Sequence, residues 1–145
     1  MPDQATERTT IDAAPDRVFD VAIDIDKYPE WARDVKEAVV AERDDAGRPL
    51  RVAFRAAAMG HSARYVLRYD YGDAPLRMGW VLEEGDIVRR LDGEYVFEDV
   101  GDGGTEVTYK LVVELAVPLP GFIKRRAESK IMTTALDELK RRCED

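Results

Sequence analysis

The chain has 145 residues, 45% of them hydrophobic and 36% charged, with a formal net charge of −8. That length and mix suit one folded domain over residues 1 to 145 and exclude a chain too polar to build a core, while the acidic balance excludes the basic surface that nucleic-acid phosphates require. No run of 18 uncharged apolar residues and no basic-then-apolar N-terminus exists, so neither a membrane span nor a signal peptide is expected; the single cysteine, Cys143, fits a reducing cytoplasm.

Residues 6 to 12 read as a first strand, ended at Ala13 and Ala14. Pro15 suits the first turn of a helix, where its missing N–H is not needed, and Asp16 complements the helix dipole. Val18, Phe19, Ala22 and Ile23 form its apolar stripe. A residue before proline is pushed out of the helical region, so Tyr28, ahead of Pro29, is expected to be extended and to close this stretch near Asp24 to Lys27. A second short helix then carries Glu30, Trp31 and Ala32. Six strands follow at hairpin intervals: Val35 to Arg43, then 50–59, 62–71, 76–84, 88–99 and 105–117. Their turns fall at Asp44 to Gly47, Gly60 with His61, Gly72 to Pro75, Glu84 to Asp86 and Gly101 to Gly104. Pro118 to Gly121 break the last strand and deliver the chain to a helix from about Phe122 to Cys143. Its apolar positions, Ile123, Ala127, Ile131 and Ala135 with the neighbouring Met132, Leu136, Leu139 and Cys143, recur every three or four residues.

Within the strands one parity is large and uncharged. Val52, Phe54, Ala56 and Ala58 alternate with Arg51, Ala53, Arg55 and Ala57; Tyr65, Leu67 and Tyr69 alternate with Arg64, Val66, Arg68 and Asp70. The uncharged parity continues through Met78, Trp80 and Leu82, Tyr95 and Phe97, and Val107, Tyr109, Leu111 and Val113. A sheet with that pattern has one face to bury. The expected architecture is α+β: a seven-stranded curved antiparallel sheet wrapped round a long C-terminal helix, with two short helices between strands one and two.

This order resembles the START-like (SRPBCC) superfamily and its helix-grip fold over nearly the whole chain. Asp26-Lys27-Tyr28-Pro29-Glu30-Trp31 is similar to the YPxW turn of the polyketide cyclase/dehydrase and coenzyme Q-binding subgroup, and Leu91-Asp92-Gly93-Glu94-Tyr95 to its LxGxY strand. Gly104-Thr105-Glu106-Val107-Thr108-Tyr109 resembles its GTxVTY strand start, and Val117-Pro118-Leu119-Pro120-Gly121 its strand-to-helix corner. Actinobacterial cyclase/dehydrase-type proteins of this size share these features. The resemblance implies a hydrophobic cavity between sheet and last helix. It also admits an aromatase/cyclase or dehydrase acting on a polyketide, or a protein-interaction module like the superfamily's ribosome-associating members.

An acid/base enzyme needs a group in the cavity to polarise a carbonyl or move a proton. The inward parity holds no Arg, Lys, Asp or Glu in the third, fourth, fifth and seventh strands, and Arg51, Arg55, Arg64, Arg68 and Arg77 all fall on the other. A bulge would reverse such a side chain. Arg89 keeps inward parity, at a strand's start, and His61, the sole histidine, sits in a turn. One histidine and one distant cysteine cannot make a transition-metal shell, and no cofactor or catalytic residue is assigned. The expected ligand cavity is lined by Trp31, Phe54, Tyr65, Leu67, Tyr69, Met78, Trp80, Tyr95, Phe97 and Tyr109, with Ile123, Ala127 and Ile131 from the last helix. Apolar walls with a few phenols suit a lipid, quinone or polyketide-like molecule. Lys124, Arg125, Arg126 and Lys130 open the last helix, whose residues 122 to 145 carry seven basic against five acidic side chains. They offer either a solvated face or a surface for transient contact with anionic lipid head groups.

Overall fold

Alternation becomes a single antiparallel sheet in which the first strand lies beside the last. The structure is a computed structural model that describes residues 4–58, 61–116 and 119–145, with the backbone alone at 58 and 61. Strands β1 (Ala5–Ile11), β2 (Val35–Arg43), β3 (Pro49–Ala58), β4 (His61–Asp70), β5 (Arg77–Gly85), β6 (Val88–Gly101) and β7 (Gly104–Leu115) lie in the order β1-β7-β6-β5-β4-β3-β2. Between β1 and β2 come α1 (Pro15–Ile23), a 3-10 turn (Ile25–Lys27) and α2 (Tyr28–Trp31), and the chain ends in α3 (Gly121–Glu144). The helix-grip arrangement is as expected, with strand ends displaced by one or two residues. The turn expected at Gly60 and the corner at Val117 and Pro118 lie outside the described residues.

Two corners are tied by side chains that reach the backbone. Thr105, fully buried, donates its hydroxyl to the Ala13 carbonyl at 2.7 Å and so fixes where β1 ends and α1 begins. Tyr28 corrects the expectation drawn from Pro29: its backbone is helical, φ −51° and ψ −40°, and α2 starts there. Local preference loses because the Tyr28 hydroxyl donates to the Ala22 carbonyl while its ring meets Trp31 at 5.0 Å and Phe54 at 6.5 Å between centroids.

Register decides which residues are inside. From Arg51↔Arg68 to Ala58↔His61 the β3–β4 pairing runs without a shift, so no bulge turns Arg51, Arg55, Arg64 or Arg68 inward. Shifts occur elsewhere: opposite Val66 and Leu67, where Glu83 is the extra residue of β5, and between Val88 and Arg90 in β6. The second shift corrects the inward parity of Arg89. It is the bulged residue and is exposed, while Val88 takes the buried position.

The rotation of α3 differs from that expected of its apolar row. Ile123 and Ile131 are each 42% exposed and do not face the sheet aromatics; the buried ridge is Glu128, Met132, Leu136, Leu139 and Cys143. Polar contacts along β1 set this angle. The Ser129 hydroxyl donates to Glu7 at 3.3 Å, the Lys140 ammonium to the Thr10 carbonyl at 2.5 Å, and the Asp12 N–H to the Glu144 carboxylate at 2.8 Å. At 100° per residue those positions lie about a quarter-turn from the Met132 ridge, so satisfying them aims Met132, Leu136 and Leu139 at the core.

Met132→Ala should therefore destabilise the protein by about 2–5 kcal/mol in urea unfolding, and Ile131→Ala by less than about 1 kcal/mol. The reverse order would place the wrong ridge inside.

Candidate functional site

The inner face of the sheet is a continuous aromatic surface. Phe54, Leu67, Tyr69, Met78, Trp80, Phe97 and Tyr109 are buried, and Tyr65, Tyr95 and Trp31 are partly buried against them. At one end Trp31, Tyr28, Phe54 and Tyr65 form a chain of rings, Phe54 and Tyr65 stacking at 5.4 Å. Deeper in, Trp80 meets Tyr69 at 6.0 Å, Tyr95 at 5.2 Å and Tyr109 at 5.8 Å, while Tyr95 and Tyr109 lie 4.7 Å apart. These are offset and edge contacts that neighbouring rings favour.

Trp80 owes its place to a glycine. Gly93 is its register partner on β6, and a Cβ there would stand 2.8 Å from the indole and 2.6 Å from the Lys110 carbonyl. Any other residue would push the ring off the strand. The glycine of the LxGxY segment thus serves close approach of an aromatic side chain.

Tyrosine hydroxyls divide into two sets. Those of Tyr28 and Tyr71 donate to backbone carbonyls, of Ala22 and Pro49. Those of Tyr65, Tyr69, Tyr95 and Tyr109 make no hydrogen bond among the described residues. Burial raises the pKa of Tyr65 to about 12 and pushes Tyr69, Tyr95 and Tyr109 higher, neighbouring phenols adding to the effect at Tyr69 and Tyr109. All four are neutral hydrogen-bond donors at physiological pH.

Fixed charge is held on the other face. Glu83 takes both Arg51 (2.6 Å) and Arg68 (3.1 Å), Arg55 meets Glu37 (3.3 Å), and Arg77 meets Glu94 (2.8 Å) and Asp70 (3.0 Å). Arg64 is exposed, and the His61 side chain lies outside the described residues. The exception inside is Glu128, 6% exposed, on the α3 ridge with Met132. Sequence reasoning missed it by following the 123-127-131 row; the 128-132-136 row carried the signal. It also missed Tyr71, and it read Phe19 as part of the apolar stripe of α1 without its contact to the sheet; the two join the ring cluster through Tyr69 and Phe97. Ala127 is half-buried beside Glu128. Among the described residues no group of three His, Cys, Asp or Glu converges as a metal site.

A family model described as polyketide cyclase / dehydrase and lipid transport matches residues 3–144. A START superfamily protein from Mycobacterium smegmatis superposes with a TM-score of 0.91 at 20% identity, over 97% of each chain. A protein from Thermus thermophilus does so at 0.81 and 29% identity, again over 97% of each chain. An aromatase/cyclase from a Streptomyces species reaches 0.84 at 14% identity, over 99% of this chain and 94% of that one. A search of curated proteins finds no match.

Two outcomes follow from the geometry. Gly93→Ala should shift and broaden the tryptophan emission and lower stability by about 1–3 kcal/mol, as overpacking does, whereas an unchanged spectrum would mean Trp80 does not lie on that strand. The phenols' contribution to stability should be level below pH 10, where they are neutral folded and unfolded. It should fall as pH rises from the ordinary tyrosine value of 10.0 towards the folded value of about 12 at Tyr65, because the unfolded chain ionises first. Each buried phenol contributes a slope of about 1.4 kcal/mol per pH unit, read from urea midpoints against pH.

Proposed function

The chain belongs to the polyketide cyclase/dehydrase and lipid-transport family, and from that premise we propose that its aromatic interior binds an uncharged hydrophobic molecule bearing a few oxygen atoms, such as a quinone, an isoprenoid lipid or a polyketide. The observation that carries this reading is the set of four phenols, Tyr65, Tyr69, Tyr95 and Tyr109, which face the interior without an acceptor among the described residues. None of the four oxygens is among the fully buried atoms left without a partner, so each hydroxyl borders open space, and these donors suit carbonyl or ether oxygens. Apolar walls supply the affinity, about 25 cal/mol per Å² of ligand surface removed from water, and the phenols orient the ligand. The four phenols are neutral and the inner parity of β3, β4, β5 and β7 carries no charged side chain, so no fixed counter-charge on the sheet's inner face favours an ionic ligand.

Acid/base chemistry on a poly-β-keto chain is the second reading, and Glu128 favours it. A carboxylate on the buried ridge of α3 is a group able to move a proton next to a bound carbonyl compound. Under this reading the phenols hold the carbonyls and Glu128 takes the proton.

Only two tryptophans are present, so titration with a short-chain isoprenoid quinone should quench emission in the wild type and in Trp31→Phe, and quench little in Trp80→Phe. Tyr95→Phe or Tyr109→Phe should weaken binding about threefold to tenfold, the worth of one hydrogen bond. Equal binding in every variant would remove the phenols from the account. Cyclisation of a poly-β-keto substrate that falls about 10²–10⁴-fold in Glu128→Gln, with quinone binding retained, would establish the second reading over the first.

A further inference from the structure

The first turns of α3 are unlike the rest of the surface. Phe122 is 69% exposed, and Leu119, Ile123 and, across the β5–β6 turn, Ile87 are exposed with it. Scattered apolar side chains are ordinary on a protein surface; four at one end of the molecule are a patch. Connectivity keeps them near one another, since the Ala116 N–H donates to the Ile87 carbonyl at 2.8 Å and Leu119 stands three residues along the chain from Ala116 and two before α3.

Charge is concentrated at the same place. Arg125, Arg126 and Lys130 are exposed and Lys124 is half-buried, and among the described residues none of the four enters an ion pair. The acidic residue among them, Glu128, points into the protein. On the sheet, by contrast, Arg51 and Arg68 share Glu83 and Arg77 meets Glu94. A chain of net charge −8 thus keeps a cationic, apolar-tipped end.

We propose that this end, formed by residues 119–130 and the β5–β6 turn, docks on an anionic lipid bilayer. Complementarity of charge selects the occupant. Anionic head groups attract a cluster of Lys and Arg, and the exposed Phe122, Leu119, Ile87 and Ile123 enter the head-group region where apolar side chains leave water. Asp86 in the turn is the carboxylate nearest this end, and its oxygens accept from the Arg64 and Ile87 N–H groups, while charge on the acidic body more than about 8 Å from the lipid is screened at physiological ionic strength. That charge instead disfavours every other orientation. Docking of this kind stands independently of what the aromatic interior binds.

Flotation of the full-length protein with phosphatidylcholine vesicles, with and without phosphatidylglycerol, tests the proposal directly. Binding is expected only to vesicles containing phosphatidylglycerol, and it should fall as salt is raised. Arg126→Ala and Lys130→Ala should each weaken it about fivefold, and Phe122→Ser should weaken it with the thermal melt unchanged. Equal partition onto both vesicle types, no partition onto either, or wild-type binding by the basic-residue variants or by Phe122→Ser would overturn the proposal. So would a Phe122-dependent dimer in sedimentation equilibrium that excludes vesicle binding, since the patch would then belong to a second copy of this chain.

Discussion

Everything inside this protein depends on the unshifted pairing of β3 with β4. Side chains alternate across a sheet with a period of two, so a slip of one residue would exchange Phe54, Tyr65, Leu67 and Tyr69 for Arg55, Arg64, Val66 and Arg68. An arginine left unpaired in the interior costs several kcal/mol, whereas on the outer face it meets a carboxylate in water at almost no cost. The bulge at Glu83 reinforces the choice. It adds one residue to β5 and gives Arg51 and Arg68 a shared partner at 2.6 and 3.1 Å.

With charge excluded from the sheet's inner face, that face is free to be aromatic, and each ring is placed by a different local cause. Trp80 lies over Gly93, which leaves the space a Cβ would fill. Tyr28 is drawn into a helical backbone by its bond to Ala22, and Tyr71 is held by Pro49 and by the Arg48 guanidinium 4.8 Å above its ring. Tyrosines with backbone partners are structural. Those without one, gathered round Trp80 and Phe54, are the groups with chemistry left to offer, and burial keeps them protonated for it. On the opposite wall the β1 contacts of α3 bring Glu128 inward and turn Ile123 and Ile131 out, so one rotation supplies both the buried carboxylate and part of the exposed apolar end.

Much of this was legible because period-two alternation is a local signal. The strands, their order in the chain and the inner position of Phe54, Tyr65, Tyr69, Trp80, Tyr95 and Tyr109 could all be read from parity and turn residues. What escaped depends on contacts distant in sequence. The rows 123-127-131 and 128-132-136 of α3 are both plausible faces, and a glutamate in the second argues for the first; the decision comes from Glu7, Thr10 and Asp12, more than 120 residues away. Tyr28 obeyed a tertiary hydrogen bond over the preference set by Pro29. Arg89 had inward parity until a bulge, which no residue announces, gave its position to Val88.

Native mass spectrometry of the protein purified under gentle conditions from its own host tests the central claim most directly, because it asks what the phenols hold. The account predicts a non-covalent adduct of a few hundred daltons, rich in carbon and hydrogen with few oxygens, that is lost when Tyr95 and Tyr109 are both changed to phenylalanine. A bare polypeptide mass, together with no uptake of added quinone or polyketide, would contradict it and leave the aromatic interior as core alone.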